Sequence, residues 1–177
     1  MVQVINSASF CEKGEFREKN EDFIYPCGNQ ERIFVLCDGM GGHGHGEIAS
    51  EIVGTSVFRY LKELQIDEYT PDVLQEALDF AVEQLNNADT YHDERRMGTT
   101  LVVVALNRYN VLVGHVGDSR CYLLDNCCNI KFRTRDHSMV AEAVENQILT
   151  EEEAYNSPKK NILTRSVQAG KDEKNEM

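Results

Sequence analysis

Apolar residues recur along the chain with two different periods. Val2 and Val4, followed less regularly by Ile5, Ala8 and Phe10, predict an opening strand, and Glu12-Lys13-Gly14-Glu15 reads as a turn. Phe23-Ile24-Tyr25 and Ile33 to Cys37 are short apolar runs separated by Pro26, Gly28 and Asn29. They predict two antiparallel strands joined by a tight loop, so that Asp22 begins one strand near where Asp38 ends its neighbour. The period then lengthens. Ala49, Ile52, Val53, Ser56, Val57, Tyr60, Leu61 and Leu64 follow the spacing of one buried helix face. Thr70 as cap, Pro71 at the first helical position and Asp72 in the first turn open a second helix, with Leu74, Ala77, Leu78, Ala81, Leu85 and Ala88 on its inner face.

Strand chemistry returns at Thr99 to Leu106, Val111 to Val116, Arg120 to Leu124 and Ile130 to Arg133, predicting an antiparallel meander. Ser138 can cap a short helix from Met139, Thr150 with Glu153 fits a capping box, and Asn161 to Val167 can form a last strand. Strands, two helices and strands again give an α+β fold with helices covering sheet faces. Because Ile33 to Cys37 and Leu101 to Ala105 are apolar at both alternating positions, burial on both faces is expected, as in two antiparallel sheets packed between helices.

At 177 residues with 41% hydrophobic content, one domain, residues 1–177, is expected. A net charge of -12 argues against a general grip on nucleic acid or an anionic membrane and suits cations instead. With neither a membrane-length apolar run nor a secretory start, the expected location is cytoplasmic. Six cysteines form no C-x-x-C pair; Cys37 and Cys121 lie in strand-like runs and read as small buried hydrophobes.

The candidate chemistry centres on Asp38, which ends an apolar strand and precedes Gly39-Met40-Gly41-Gly42-His43-Gly44. Neither G-x-x-x-x-G-K-S/T nor G-x-G-x-x-G fits this loop, and an unpaired Asp38 would repel phosphate. A divalent metal between carboxylate and phosphate resolves that conflict, and glycine at position 39 lets a backbone carbonyl approach a cation. Arg17, four and five residues before Glu21 and Asp22, is either a surface charge or a phosphate fork beside such a centre. His43 and His45 read as loop histidines rather than zinc ligands. Asp118 interrupts two strand runs, and Thr134-Arg135-Asp136-His137-Ser138 reads as a turn or the start of a helix.

Seven segments in order, from Arg17-Glu18-Lys19-Asn20-Glu21-Asp22 through Val35-Leu36-Cys37-Asp38-Gly39-Met40-Gly41-Gly42-His43, Gly46-Glu47-Ile48-Ala49-Ser50, Met97-Gly98-Thr99-Thr100-Leu101, Gly114-His115-Val116-Gly117-Asp118-Ser119-Arg120 and Thr134-Arg135-Asp136-His137-Ser138 to Leu163-Thr164-Arg165, resemble the metal-dependent protein serine/threonine phosphatases, the PPM or type 2C family, in their bacterial form. The resemblance implies a layered α-β-β-α sandwich with a two-metal Mn²⁺ or Mg²⁺ centre at one end. It implies that Asp38 bridges the metals, that the Gly39 carbonyl binds one, and that Glu21 and Asp22 act at the same centre directly or through water. It further implies that Arg17 grips the phosphoryl group and that Asp118 faces a third, weaker metal site. The implied reaction is hydrolysis of phosphoserine or phosphothreonine by a metal-activated water, on protein substrates of a serine/threonine kinase.

Two departures accompany the resemblance. Some family members carry a histidine two residues after the bridging aspartate, proposed as the general acid, where this chain has Met40. Family members also continue past the Leu163-Thr164-Arg165 region into strands carrying two more metal-ligand aspartates, whereas this sequence ends at Met177. The expectation is therefore the amino-terminal part of such a domain, incomplete at its carboxyl end. The alternative is a non-catalytic phosphatase-like module that binds a phosphoprotein or partner.

Overall fold

The computed structural model describes residues 2–4, 6–15, 17–25, 31–40, 45–89, 97–170 and 177. Asp22–Ile24 (β1) and Ile33–Met40 (β2) form the antiparallel pair that the apolar runs predict, with Asp22 opposite Asp38, Phe23 opposite Cys37 and Ile24 opposite Leu36. Two helices follow, Gly46–Glu63 (α1) and Pro71–Ala88 (α2), the second capped by the Thr70 side chain, which accepts a hydrogen bond from the Val73 amide. Both helices match their apolar periodicity and pack on each other and on one face of the sheet.

Gly98–Thr99 (β3), Leu101–Leu106 (β4) and Val111–Val116 (β5) come next, then Tyr122–Leu124 (β6), Ile130–Arg133 (β7), Met139–Glu145 (α3), Glu151–Asn156 (α4) and Val167–Gln168 (β8). The larger sheet runs β5-β4-β2-β3-β8, with β1 also on β2. Leu36 pairs with both Ile24 and Val102, so β1 and β4 lie on opposite edges of β2. The strand predicted over Thr99 to Leu106 is thus two pieces, broken at Thr100, which leaves the ladder beside Asp38.

The core lies between this sheet and the helix pair. Ile33, Val35 and Cys37, alternate residues of β2, are buried with Ala49, Val53, Val57, Phe58 and Leu61 of α1 and with Leu74, Leu78 and Leu85 of α2. Cys37 is fully buried, as expected, whereas Cys121 is half-buried. The other face of the sheet is more open than expected. Leu36 is 37% exposed, because the second sheet among the described residues is only the β6–β7 hairpin, whose own Leu123 and Ile130 are 59% and 61% exposed.

Three other sequence expectations change. No strand forms among the described residues of Val2 to Phe10, where the alternation is weakest and Phe10 projects into solvent. β5 and β6 are not neighbours in a meander, because the Gly117–Asp118 turn carries the chain from one sheet to the other. The last predicted strand shrinks to a Ser138–Leu163 bridge and β8. The Ser138 cap and the Thr150–Glu153 capping box form as predicted. No helix among the described residues is long and apolar enough to cross a membrane.

Candidate active site

Asp38 sits two residues before the close of the β2 ladder, and its backbone fixes it there. Its amide donates to Thr100 Oγ1 at 2.9 Å, and its carbonyl accepts from the Thr100 amide and from Thr99 Oγ1, each at 2.9 Å. Both threonines are essentially inaccessible to solvent. The carboxylate faces Asp22 and takes no part in these backbone bonds.

On the other edge of β2, Asp22 stands directly opposite Asp38, and the Gly39 amide donates to the Glu21 carbonyl at 3.0 Å. The buried Ser50 hydroxyl of α1 donates to the same carbonyl at 2.7 Å, so strand and helix both hold Glu21. Gly39 is in turn pressed against the start of α1: a Cβ on it would lie 2.2 Å from the Gly46 carbonyl oxygen. The Glu21 side chain lies beside Gly46, where the helix amino terminus favours negative charge. Arg17, largely exposed, forms an ion pair with Glu21 at 3.6 Å and so stands at the rim of the cluster.

The Asp38 carboxyl is pushed up to about 6, first by partial desolvation among the strand ends and then by the charges of Asp22 and Asp118, with Glu21 contributing less. Carboxylates from three separate segments therefore act on one another. Of the residues singled out in the sequence, the structure sets Glu21, Asp22 and Asp118 near enough to act on Asp38, packs Gly39 between the Glu21 carbonyl and the start of α1, and keeps Arg17 at the edge. His45 is the amino-terminal cap residue of α1, without a side-chain capping bond, and His43 lies outside the described residues.

Among the described residues, no three His, Cys, Asp or Glu side chains converge into a ready-made metal cage. The donor chemistry nonetheless fits a hard divalent cation. Mn²⁺ or Mg²⁺ prefers oxygen ligands, and a cation between these carboxylates would relieve the repulsion that adds to burial in raising Asp38.

Sequence reasoning gave no role to Thr99, Thr100, Ser50 or Ser119. Thr99-Thr100 did carry a signal, being two hydroxyl residues immediately before a uniformly apolar strand. The segment from Thr134 to Ser138 also does more than start a helix. Asp136 receives Arg120 Nε and Nη2 at 2.7 and 2.5 Å, a forked pair across the mouth of the second sheet. The Gly117 amide donates to His137 Nδ1 at 3.1 Å, and the His137 ring stacks on His115 with centroids 4.5 Å apart.

Partial burial holds His137 down at about 4 from an ordinary 6.5, with His115, Arg165 and Arg135 adding to the effect and Glu142 opposing it. The unfolded chain thus takes up a proton that the fold refuses, and stability falls as pH drops from 6.5 towards 4. With the ring only half-buried, this contribution is about 1–2 kcal/mol. Urea midpoints of His137→Asn, which keeps an acceptor but cannot titrate, should fall less steeply than wild type across that window.

Comparison with known proteins agrees with this geometry. Residues 17–169 match the family model described as Protein phosphatase 2C. The chain is 33% identical over 163 residues to the serine/threonine phosphatase stp of Listeria innocua, covering 88% of this chain and 64% of that protein. The chain therefore spans a little under two thirds of the length of that relative. Among solved structures, the S. agalactiae serine/threonine phosphatase superposes with a TM-score of 0.80 at 34% identity, covering 92% of this chain and 68% of the other. The catalytic domain of the serine/threonine protein phosphatase PstP, solved in complex with two manganese ions, superposes with a TM-score of 0.78 at 28% identity over 94% and 68% of the respective chains. With its Asp22–Asp38 strand pair, its helix-braced Glu21 and a family match reaching from Arg17 to Ala169, this chain belongs to the protein phosphatase 2C family.

Proposed function

We propose that the chain supplies the amino-terminal part of a phosphatase active site that hydrolyses phosphoserine or phosphothreonine in proteins. The observation that carries this reading is the register that sets Asp22 opposite Asp38, with Asp118 near enough to raise the Asp38 carboxyl further. Such a cluster has no use in binding an anionic phosphoprotein unless cations accompany it.

Asp38 would bridge two Mn²⁺ or Mg²⁺ ions, with the Gly39 carbonyl, Glu21 and Asp22 on the same centre and Asp118 towards a third. When bound, the metals supply positive charge for the phosphoryl oxygens and lower the pKa of a coordinated water. The protein's own groups do the rest. Arg17 lies on the solvent side of Glu21 and presents a planar fork to two phosphoryl oxygens, exchanging its weak exposed pair for a stronger one. Glu21, held from strand and helix, keeps the cluster closed on that side. Met40 occupies the position two residues beyond Asp38 and cannot give up a proton, so the departing serine or threonine oxygen takes its proton from solvent or from another group. The substrates in this reading are cytoplasmic phosphoproteins made by a serine/threonine kinase.

The test is phosphate release from a phosphothreonine peptide, with Mn²⁺ and again after chelation, by a protein in which this chain is continued to the length of its relatives. Release that stops with the chelator and returns with Mn²⁺ is expected; release indifferent to chelation, or none with Mn²⁺ present, would refute the reading.

A further inference from the structure

Asp38 and Asp118 repel each other, one near the end of β2 and the other in the turn after β5, and a specific connection joins the two segments. Thr100 leaves the ladder between β3 and β4, and its hydroxyl, instead of facing solvent, accepts from the Asp38 amide at 2.9 Å. The same oxygen lies 2.7 Å from Ser119 Oγ, the neighbour of Asp118. A hydroxyl offers one donor and two acceptor positions, so Thr100 can serve both partners at once. Its methyl closes the contact from the other side: Gly117 turns with φ +107°, and a Cβ there would lie 2.6 Å from Thr100 Cγ2. One side chain, 1% exposed, thus grips the Asp38 strand and both neighbours of Asp118.

We infer that Thr100 and Ser119 are positioning residues whose hydroxyl link sets the separation of Asp38 and Asp118, and so the affinity of the cluster for divalent cations. The inference rests on the metal-centre reading above. Water cannot replace the link easily, because Thr100 is buried and removal of its hydroxyl leaves the Asp38 amide without an acceptor. Without the link, mutual repulsion moves the two carboxylates apart, and a cation between them loses a donor or accepts a worse geometry. Groups that orient metal ligands from behind typically change metal affinity by 10-fold to 100-fold when removed, so roughly tenfold is expected for this one.

The experiment is calorimetric titration of the chain with Mn²⁺, for wild type, Ser119→Ala, Thr100→Val, Thr100→Ser and the Thr100→Val/Ser119→Ala pair, with thermal melts of the metal-free proteins alongside. Ser119→Ala leaves the Asp38 amide bonded and isolates the link, so it remains informative if Thr100→Val fails to fold. The expected result is an affinity about tenfold weaker for Ser119→Ala. Thr100→Val should be at least as weak, the double variant no weaker than Thr100→Val, and Thr100→Ser restored. A purely structural role would move the melts and leave Mn²⁺ affinity alone. Wild-type binding with unchanged affinity in Ser119→Ala, or additive losses in the double variant, would overturn the inference. Absence of Mn²⁺ binding by wild type would instead overturn the metal-centre reading and this inference with it.

Discussion

Gly39→Ala is expected to be severely destabilising, by about 3 kcal/mol or more, through steric conflict with immovable backbone. A Cβ on Gly39 would meet the Gly46 carbonyl oxygen at 2.2 Å, its carbon at 2.4 Å and the Glu21 carbonyl oxygen at 2.6 Å. None of these is a flexible side-chain end. Relief requires α1 to back away from β2, which would open the core around Val53 and Val57 and break the hydrogen bond from the Gly39 amide to Glu21. For a chain of this size such a loss lowers the melting temperature by roughly 6–12 °C. Gly46→Ala should cost less, since one of its close neighbours at 2.9 Å is the movable Glu21 carboxylate. Differential scanning calorimetry of both variants checks the order; a Gly39→Ala protein that melts with wild type would show that the strand and helix do not meet this closely.

The glycine at position 39 was legible in the sequence for a different reason, as a residue that frees a carbonyl to approach a cation. Its packing role was not, because nothing in a linear pattern says that residue 46 returns to touch residue 39. The same distinction runs through the fold. The Asp22–Asp38 register followed from two short apolar runs with a turn between them, since strand pairing across a short connection is nearly dictated by the pattern. Both long helices followed from periodicity and the Thr70-Pro71 start. What pattern could not reveal was connection at a distance. Val116 and Arg120 looked like the ends of consecutive strands in one sheet, yet the positive φ of Gly117 sends the chain elsewhere. Leu36 looked like core because its run is apolar throughout, but burial depends on what covers a face, and among the described residues the hairpin does not cover it. The carboxylates announced themselves by type and position, whereas the hydroxyls of Thr100 and Ser119 became meaningful only when 19 positions of sequence separation closed to 2.7 Å.

Asp38→Asn is expected to have opposite effects on function and on metal-free stability. Asparagine is nearly isosteric, and the bonds that hold residue 38 run through its amide and carbonyl, to Thr99 and Thr100, so the fold should persist. What disappears is the charge proposed to bridge two cations. Mn²⁺-dependent phosphate release should fall on the order of a thousandfold, in line with the loss of a group that organises transition-state charge. Without metal, the aspartate is a liability. Its carboxyl stands at about 6 in the fold against 3.8 ordinarily, so at neutral pH the folded state holds a charge that burial and Asp22, Asp118 and Glu21 disfavour. Linkage fixes the sign: an acid with a raised folded pKa costs the fold stability as pH rises from 3.8 to about 6, and the full penalty then persists at neutral pH. Because the side chain keeps substantial solvent access, the relief on substitution is about 1 kcal/mol, or roughly 2–4 °C upward in melting temperature. Saturating Mn²⁺ should reverse the order, stabilising wild type by preferential binding to the folded state while leaving Asp38→Asn nearly unmoved. Melts of the two proteins with and without Mn²⁺ therefore form a crossing pattern. If Asp38→Asn were less stable than wild type without metal, or equally stabilised by Mn²⁺, Asp38 would have to be read as a structural carboxylate rather than the centre of the site.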